Sequence, residues 1–415
     1  MKALQTLRLK KRLIIFFTLI LAVALTIGAE LNLRYPHEMN LYSGERLYAR
    51  EGLPYTLEIP ANIGGVLLDD GKVKRDTSLL ENDYSAKLKL FGIIPVKTVN
   101  VNVLEEKSLT VSGKTIGIKM FTEGLLAVGI SDITDINGKS HNLGNLYGIK
   151  TGDIILSAND KTLFNTEDLA DAIENSKDSI NLTIKRGDKT FQKEVYPIET
   201  KDGLKLGIWV RDSTAGIGTL TFLDGDTLSF GALGHPIADS DTGVLMPVSS
   251  GTICDASVVG VNKGEAGIPG ELRGVFKGEK SLIGEIEKNT EQGIFGKITD
   301  SCKYLNGESF PICSRNGISE GKAQILSNID GEKIECFDIE IERVMRYNID
   351  NYKDLVIKVT DNKLLEQTGG IVQGMSGSPI LQNGRIVGAV THVFVNDPTR
   401  GYGIFIENML TKVEN

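Results

Sequence analysis

The chain has 415 residues, of which 41% are hydrophobic and 24% charged, with 46 glycines. That length fits two to three domains with real cores, and the glycine content suits turn-rich β structure more than long helices. A net charge of −8, with no Lys/Arg-rich block after the first dozen residues, gives nucleic-acid binding no electrostatic footing.

Lys2, Arg8, Lys10, Lys11 and Arg12 precede an uncharged apolar run, Leu13–Ala29. As a helix this run spans roughly 25 Å, just enough to cross a bilayer. The positive flank stays cytoplasmic, which sends everything after Glu30 outside. A signal peptide is the alternative, with Thr26 and Gly28 at the small-residue positions of a weak cleavage site. The length of the run and the lack of an Ala-x-Ala ending favour a retained single-pass anchor, so residues 1–29 are read as a basic stub and membrane anchor. Residues 30–107 read as a juxtamembrane linker and a small β-rich module. Lys87–Leu90 and Val96–Val103 alternate in polarity, and Gly92, Pro95 and the Asp69–Gly71 cluster punctuate them.

Residues 108–200 form a different unit. Leu125–Ile130 is an apolar strand, and Gly148-Ile-Lys-Thr-Gly-Asp-Ile-Ile-Leu-Ser-Ala-Asn159 contains a glycine-bounded one. Asn165-Thr-Glu-Asp opens a helix through a side-chain cap, with Leu169, Ala172 and Ile173 on one face. Ile180, Leu182 and Ile184 alternate as the next strand, and Gly187-Asp188 is its turn. This order resembles a PDZ domain of the bacterial protease-associated type. The resemblance implies binding of an extended peptide as an added strand, and it puts Ile116, Gly117 and Ile118 at the carboxylate-binding loop. A small αβ domain with no peptide is the plainer alternative. Residues 201–415 read as many short strands with turn signals, hence a barrel or sandwich.

Chemistry concentrates in that last part. Gly374-Met-Ser-Gly-Ser-Pro-Ile380 precedes a hairpin with an Asn383-Gly384 turn. Glycines around a serine let backbone N–H groups point at an oxyanion and leave room for a substrate carbonyl. The pattern resembles the Gly-Asp-Ser-Gly-Gly-Pro signature of chymotrypsin-like proteases, with Met375 in place of the Asp and Ser378 in place of the second Gly. It makes Ser376 the nucleophile and the Gly374 and Ser376 N–H groups the oxyanion hole. Ser378 competes but lacks the Gly-x-Ser-Gly frame. A serine nucleophile needs a base. Of the four histidines, His37 is in the linker, His141 in the PDZ-like unit and His392 on a strand, whereas His235 sits in the glycine turn of Phe230-Gly-Ala-Leu-Gly-His-Pro-Ile-Ala-Asp239. His before Ser on a β scaffold fits the chymotrypsin-like order. Spacing does not choose the third member among Asp239, Asp241, Asp255, Asp300, Asp330, Asp338, Asp350, Asp354 and Asp361. Cys254, Cys302, Cys313 and Cys336 form no CxxC pair, and no His stands at metal-ligand spacing, so neither metal nor cofactor is expected. Cys302 and Cys313 are either a disulfide or isolated thiols.

Together the anchor, the PDZ-like segment, LGHPIAD, VTDNKLLEQTGGIVQGMSGSPI and GAVTHVFVNDPTRGYGIFIE resemble the stage IV sporulation protein B (SpoIVB) peptidases of endospore-forming Firmicutes. The resemblance covers nearly the whole chain. It implies a trypsin-like double β-barrel, mostly β, behind a PDZ domain and an N-terminal transmembrane helix. It also implies catalysis by His235 and Ser376, with Asp361 as the proposed third member. The partners it implies are the chain itself, the membrane, and a membrane-anchored regulator whose cleavage frees an intramembrane protease to process a sigma-factor precursor. The setting would be the space between forespore and mother-cell membranes. The rival from another class is a catalytically inactive PDZ adaptor at the membrane. The intact Gly-x-Ser-Gly turn argues against it.

Overall fold

The computed structural model describes residues 10–413 apart from 17, 20–21, 24, 28, 30–36, 44, 46–54, 59–64, 70–71, 77–82, 279–280, 300–306 and 347–351. Cys302, Asp300, Asp350 and much of the expected linker lie outside the described residues. The described residues between 10 and 29 are helical and expose Leu13, Ile14, Ile15, Phe16 and Leu25. Thr18 and Thr26 return their hydroxyls to the carbonyls of Ile14 and Ala22, which removes their polar groups from the helix surface. Among the described residues no helix is long and apolar enough to cross a membrane.

A four-stranded sheet follows, in the order Glu38–Tyr42, Ile94–Leu104, Tyr84–Leu90, Tyr55–Glu58. Alternation puts Ala86, Leu88, Val99 and Val101 into its core. Its outlet is fixed to the rest of the chain by a buried carboxylate. Glu45 accepts from Ser314 N at 2.6 Å, Ser314 Oγ at 2.5 Å and Tyr42 N at 3.0 Å.

Two long strands, Ser108–Ile130 and Ile208–Asp224, pair antiparallel along most of their length. From them the sheet continues through Ser229–Ala232, Gly293–Ile298, Leu282–Thr290 and Val248–Asn262, and the last pairs back onto Ser108–Ile130. The result is a closed ring of six strands around Ile116, Ile118, Leu220, Phe230, Ile253 and Ile294. Each such fully buried side chain contributes about 1.5–3 kcal/mol. A second ring, a closed six-stranded barrel, runs from Gly321–Asp330 to Asp397–Phe405 around Ile325, Phe337, Ile357, Ile380 and Val390. The protein is thus mostly β, with β-barrels.

Two expectations change. Residues 108–124, read as the opening of the PDZ-like unit, are a strand of the first ring, and the αβ unit is inserted between that strand and its partner Ile208–Asp224. Ile116, Gly117 and Ile118 form no loop. They pair with Gly218, Ile217 and Gly216 on one side and with Asp255, Cys254 and Ile253 on the other. With both edges taken, their backbone groups cannot receive a peptide. Of the two alternatives for Cys313 the structure shows the isolated thiol, which is buried, and the half-buried Cys254 and exposed Cys336 are free as well. The inserted unit has its own core of Leu125, Ile155, Leu169, Leu182 and Val195. Its helix Thr166–Glu174 starts where expected, with Asn165 and Asp168 forming a reciprocal capping box.

Candidate active site

The GMSGSP segment is a turn that enters the second ring at Pro379–Gln382. Gly374 and Gly377 both sit at φ +96°, a conformation that side chains other than glycine rarely adopt. The turn's amides divide cleanly. Met375 N donates to Val372 O at 3.1 Å, Gly377 N to Val390 O at 2.8 Å and Ser378 N to Met375 O at 2.9 Å. Among the described residues the N–H groups of Gly374 and Ser376 have no partner. Thr219 holds the turn from the first ring. Its N–H donates to Ser376 O at 2.9 Å and its hydroxyl to Gly374 O at 2.8 Å. Ser376 is half-buried and its hydroxyl donates to Thr391 O at 2.7 Å. Ser378 is fully buried and hydrogen-bonds Ser327 Oγ at 3.1 Å, so it offers substrate nothing.

His235 follows the first-ring strand Ser229–Ala232 through a turn with Leu233 at φ +69° and Gly234 at φ +70°. Leu233 N donates to Thr219 O at 3.2 Å, so the residue that holds the serine turn also holds the histidine turn. Asn289 fixes the far side by bonding both Ile237 N and Ile237 O at 2.8 Å. The two turns touch directly: a Cβ on Gly377 would lie 2.6 Å from Leu233 N, and one on Gly234 would lie 3.0 Å from Thr391 Cγ2. His235 Nδ1 is 2.8 Å from Pro236 O. A carbonyl only accepts, so Nδ1 carries the hydrogen and Nε2 is left as the basic nitrogen. Burial pushes this imidazole below the usual histidine range, with the Pro236 bond acting the other way. A neutral ring at neutral pH is what a general base requires.

The sequence reading did not place His392 and Thr391 at this site. The His392 ring lies 4.9 Å from that of His235, centroid to centroid, tilted by 40°. Desolvation first, then His235 and Lys353, push it down to about 4. Thr391 accepts the Ser376 hydroxyl through its carbonyl, and its own hydroxyl is buried without a partner among the described residues. Only strand register could reveal this, because Val-Thr-His reads as ordinary strand. Asp361 is not the hydrogen-bond partner of His235 Nδ1. Its carboxylate caps the helix Asn362–Thr368 by accepting from Leu364 N at 3.0 Å. Asp239 pairs with Arg211, and Asp354 accepts from Phe405 N at 2.8 Å and Asn408 Nδ2 at 2.7 Å. The position at Nδ1 that an aspartate holds in a triad is held here by the Pro236 carbonyl. No group of three His, Cys, Asp or Glu among the described residues could hold a metal ion.

Residues 202–410, both turns included, match the SpoIVB peptidase S55 family. The chain belongs to that family. It is a serine peptidase, a hydrolase that acts on protein substrates. Among solved structures it is similar to the Rv3671c protease. The inactive form has 13% identity over 48% of this chain and 85% of that one, with a TM-score of 0.29. The active form, from M. tuberculosis, has 14% identity over 48% and 74%, with a TM-score of 0.28. Scores this low establish no shared fold. No curated protein matches the chain.

Proposed function

We propose that Ser376 is the nucleophile and His235 its general base, in a trypsin-like pair of barrels with one residue supplied by each ring. The observation that carries this reading is the amide pattern of the turn. Gly374 and Ser376 keep unpaired N–H groups on either side of Met375, whose own N–H is used internally. In the first step the Ser376 hydroxyl leaves Thr391 O and turns to Nε2 of His235. His235 takes its proton and the oxygen attacks the peptide carbonyl. The two free N–H groups hold the resulting oxyanion, and His235 returns the proton to the leaving amine. Losing one such donor costs about 3–4 kcal/mol of barrier. The Nδ1 hydrogen bond to Pro236 fixes the tautomer that this sequence needs.

The chain around the site supports a wider role. The exposed apolar residues of the N-terminal helical segment support a membrane anchor, with the peptidase outside the cytoplasm. The order in the inserted unit, from the end of strand Ser108–Ile130 through strand Ile154–Ala158 and helix Thr166–Glu174 to strand Ile180–Arg186, supports a PDZ reading. Tethering raises the effective concentration of membrane-bound substrates without any new contact. The substrates are the chain itself and a membrane-associated regulator of an intramembrane protease, in sporulating cells. A fluorophosphonate probe should label Ser376 in the purified protein. Failure to label folded protein would end the assignment. Replacing the chromosomal copy by Ser376→Ala tests the signalling role separately, since normal sigma-precursor processing in that strain would refute the role and leave the peptidase standing.

A further inference from the structure

The tip of the hairpin between Tyr84–Leu90 and Ile94–Leu104 is apolar and open to solvent. Phe91 is 58% exposed, Ile93 79% and Ile94 47%. Phe91 also sits at φ +52°, in the left-handed region where glycine or asparagine is far cheaper than an aromatic residue. Nothing in the fold of the small sheet demands a phenylalanine there, since Leu90 already closes its core. Strain of this kind at an exposed position is a reason to look for a function.

The position of the tip says what it meets. Glu38–Tyr42 runs parallel to Ile94–Leu104, pairing from Glu38↔Asn100 to Tyr42↔Leu104. The starts of the two strands therefore face the same end of the sheet. The hairpin tip precedes Ile94, and the chain arriving from the N-terminal helical residues precedes Glu38. Glu38 pairs with Asn100, so that chain enters the sheet roughly 20 Å behind the tip. Ile27, near the close of the helical segment, packs against the core of the same sheet. Lys87 and Lys97 stand behind the tip, opposite Thr98 and Leu88, and Lys89 pairs with Glu58 at 2.6 Å. At about 3.3 Å per residue the lysines are within roughly 10–15 Å of the tip. Apolar side chains at an edge, cations one layer behind and an apolar helix alongside form the profile of a membrane-interface contact.

We propose that the Phe91–Ile94 tip enters the outer leaflet of the bilayer beside the N-terminal helix, with Lys87 and Lys97 at the level of anionic lipid phosphates. The small sheet is then a second membrane contact, which limits how the peptidase is oriented over the surface. This rests on the anchor reading of the helix, and the test separates the two. The full-length Ile93→Trp variant is placed in protein-free nanodiscs of phosphatidylcholine and phosphatidylglycerol, with wild type, whose one tryptophan is Trp209, as baseline. Bromine on the upper acyl chains should quench most of the added emission and leave that of Trp209 unchanged. Adding Phe91→Gly, which relieves the backbone strain, should lower the quenching while the protein stays folded. Changing Lys87 and Lys97 to Glu should lower it in phosphatidylglycerol discs and leave it unchanged in neutral ones. If the wild type fails to stay in the discs after carbonate washing, the anchor reading is wrong. If it stays and the added tryptophan is not quenched, the tip does not meet lipid and the proposal is overturned, with a protein partner as the remaining occupant. Equal quenching in neutral and anionic discs overturns the role given to the lysines.

Discussion

Adding one methyl group at Gly377 tests whether the two turns act as a unit. The Cβ of Gly377→Ala would lie 2.1 Å from Thr219 O, 2.6 Å from Leu233 N and 3.0 Å from Leu233 Cα. All three neighbours are backbone or backbone-bound, so no side chain can simply swing away. The residue also stays at φ +96°. Left-handed backbone costs an alanine about 1–2 kcal/mol, and overpacking a tight site adds about 1–3 kcal/mol. The sum, about 2–5 kcal/mol, is a large part of a typical stability of about 5–15 kcal/mol. Relief requires Thr219 and Leu233 to move by about an ångström, and those residues hold the serine and histidine turns. A displacement of about 1 Å between reacting groups costs on the order of a hundredfold in rate. Gly384→Ala is the control, because Gly384 is at φ +73° with nothing within 4 Å of an added Cβ. It should lose about 1–2 kcal/mol from backbone strain and keep wild-type activity. Denaturation midpoints and fluorophosphonate labelling rates measure both quantities. A folded Gly377→Ala protein that labels at the wild-type rate would show that the contact does not position the site.

The remaining predictions concern single groups. Ser376→Ala should fold and lose all peptide cleavage, whereas Ser378→Ala should cost about 1 kcal/mol through its lost hydrogen bond and keep most activity, read with a peptide substrate and a melting curve. Burial holds the folded pKa of His235 below that of the unfolded chain, and the same holds for His392 at about 4. The unfolded chain therefore binds more protons between about pH 4 and 6.5, and stability should fall as pH drops through that window and be unaffected above it. The acid limb of the pH–rate profile should lie below pH 6.5, and His392→Gln should flatten the stability loss; a limb above 7 would contradict a desolvated base. Glu45→Ala leaves the donors of Ser314 and Tyr42 without their acceptor in a buried site, which should cost about 3 kcal/mol and expose the N-terminal strand to added protease. Self-cleavage should fall between residues 30 and 75 and spare the paired strand Glu38–Tyr42, because strands in sheets do not enter a protease cleft. N-terminal sequencing of the released product checks this, and cuts confined to 204–410 would refute it.

The turns of the candidate site were legible in the sequence because they are local. Gly-x-Ser-Gly fixes its own turn, and Gly374 and Gly377 adopt the positive φ that only glycine takes without strain. Gly-His-Pro likewise ends a strand in a turn. Asn383 and Gly384, both at positive φ, form the hairpin turn their order announced. The Asn165 cap and the alternating strands followed from period and side-chain hydrogen bonding within a few residues.

Pairings between distant segments were not legible. Residues 108–124 look like the start of the unit that follows them, and only their register with Gly216–Gly218 and Ile253–Asp255 makes them a barrel strand. The family resemblance proposes Asp361 as the third member, yet the N–H it meets is that of Leu364, three residues on. His392 becomes a neighbour of His235 only because the barrel brings its strand across the first ring's turn. Sequence by itself determined the two turns that carry Ser376 and His235, since turn geometry is written within half a dozen residues. Tertiary structure decided that Thr219 holds the serine turn, that His392 lies beside His235 and that Val248–Asn262 closes the first ring on Ser108–Ile130, because those contacts join residues roughly a hundred or more apart whose local pattern suits several partners equally well.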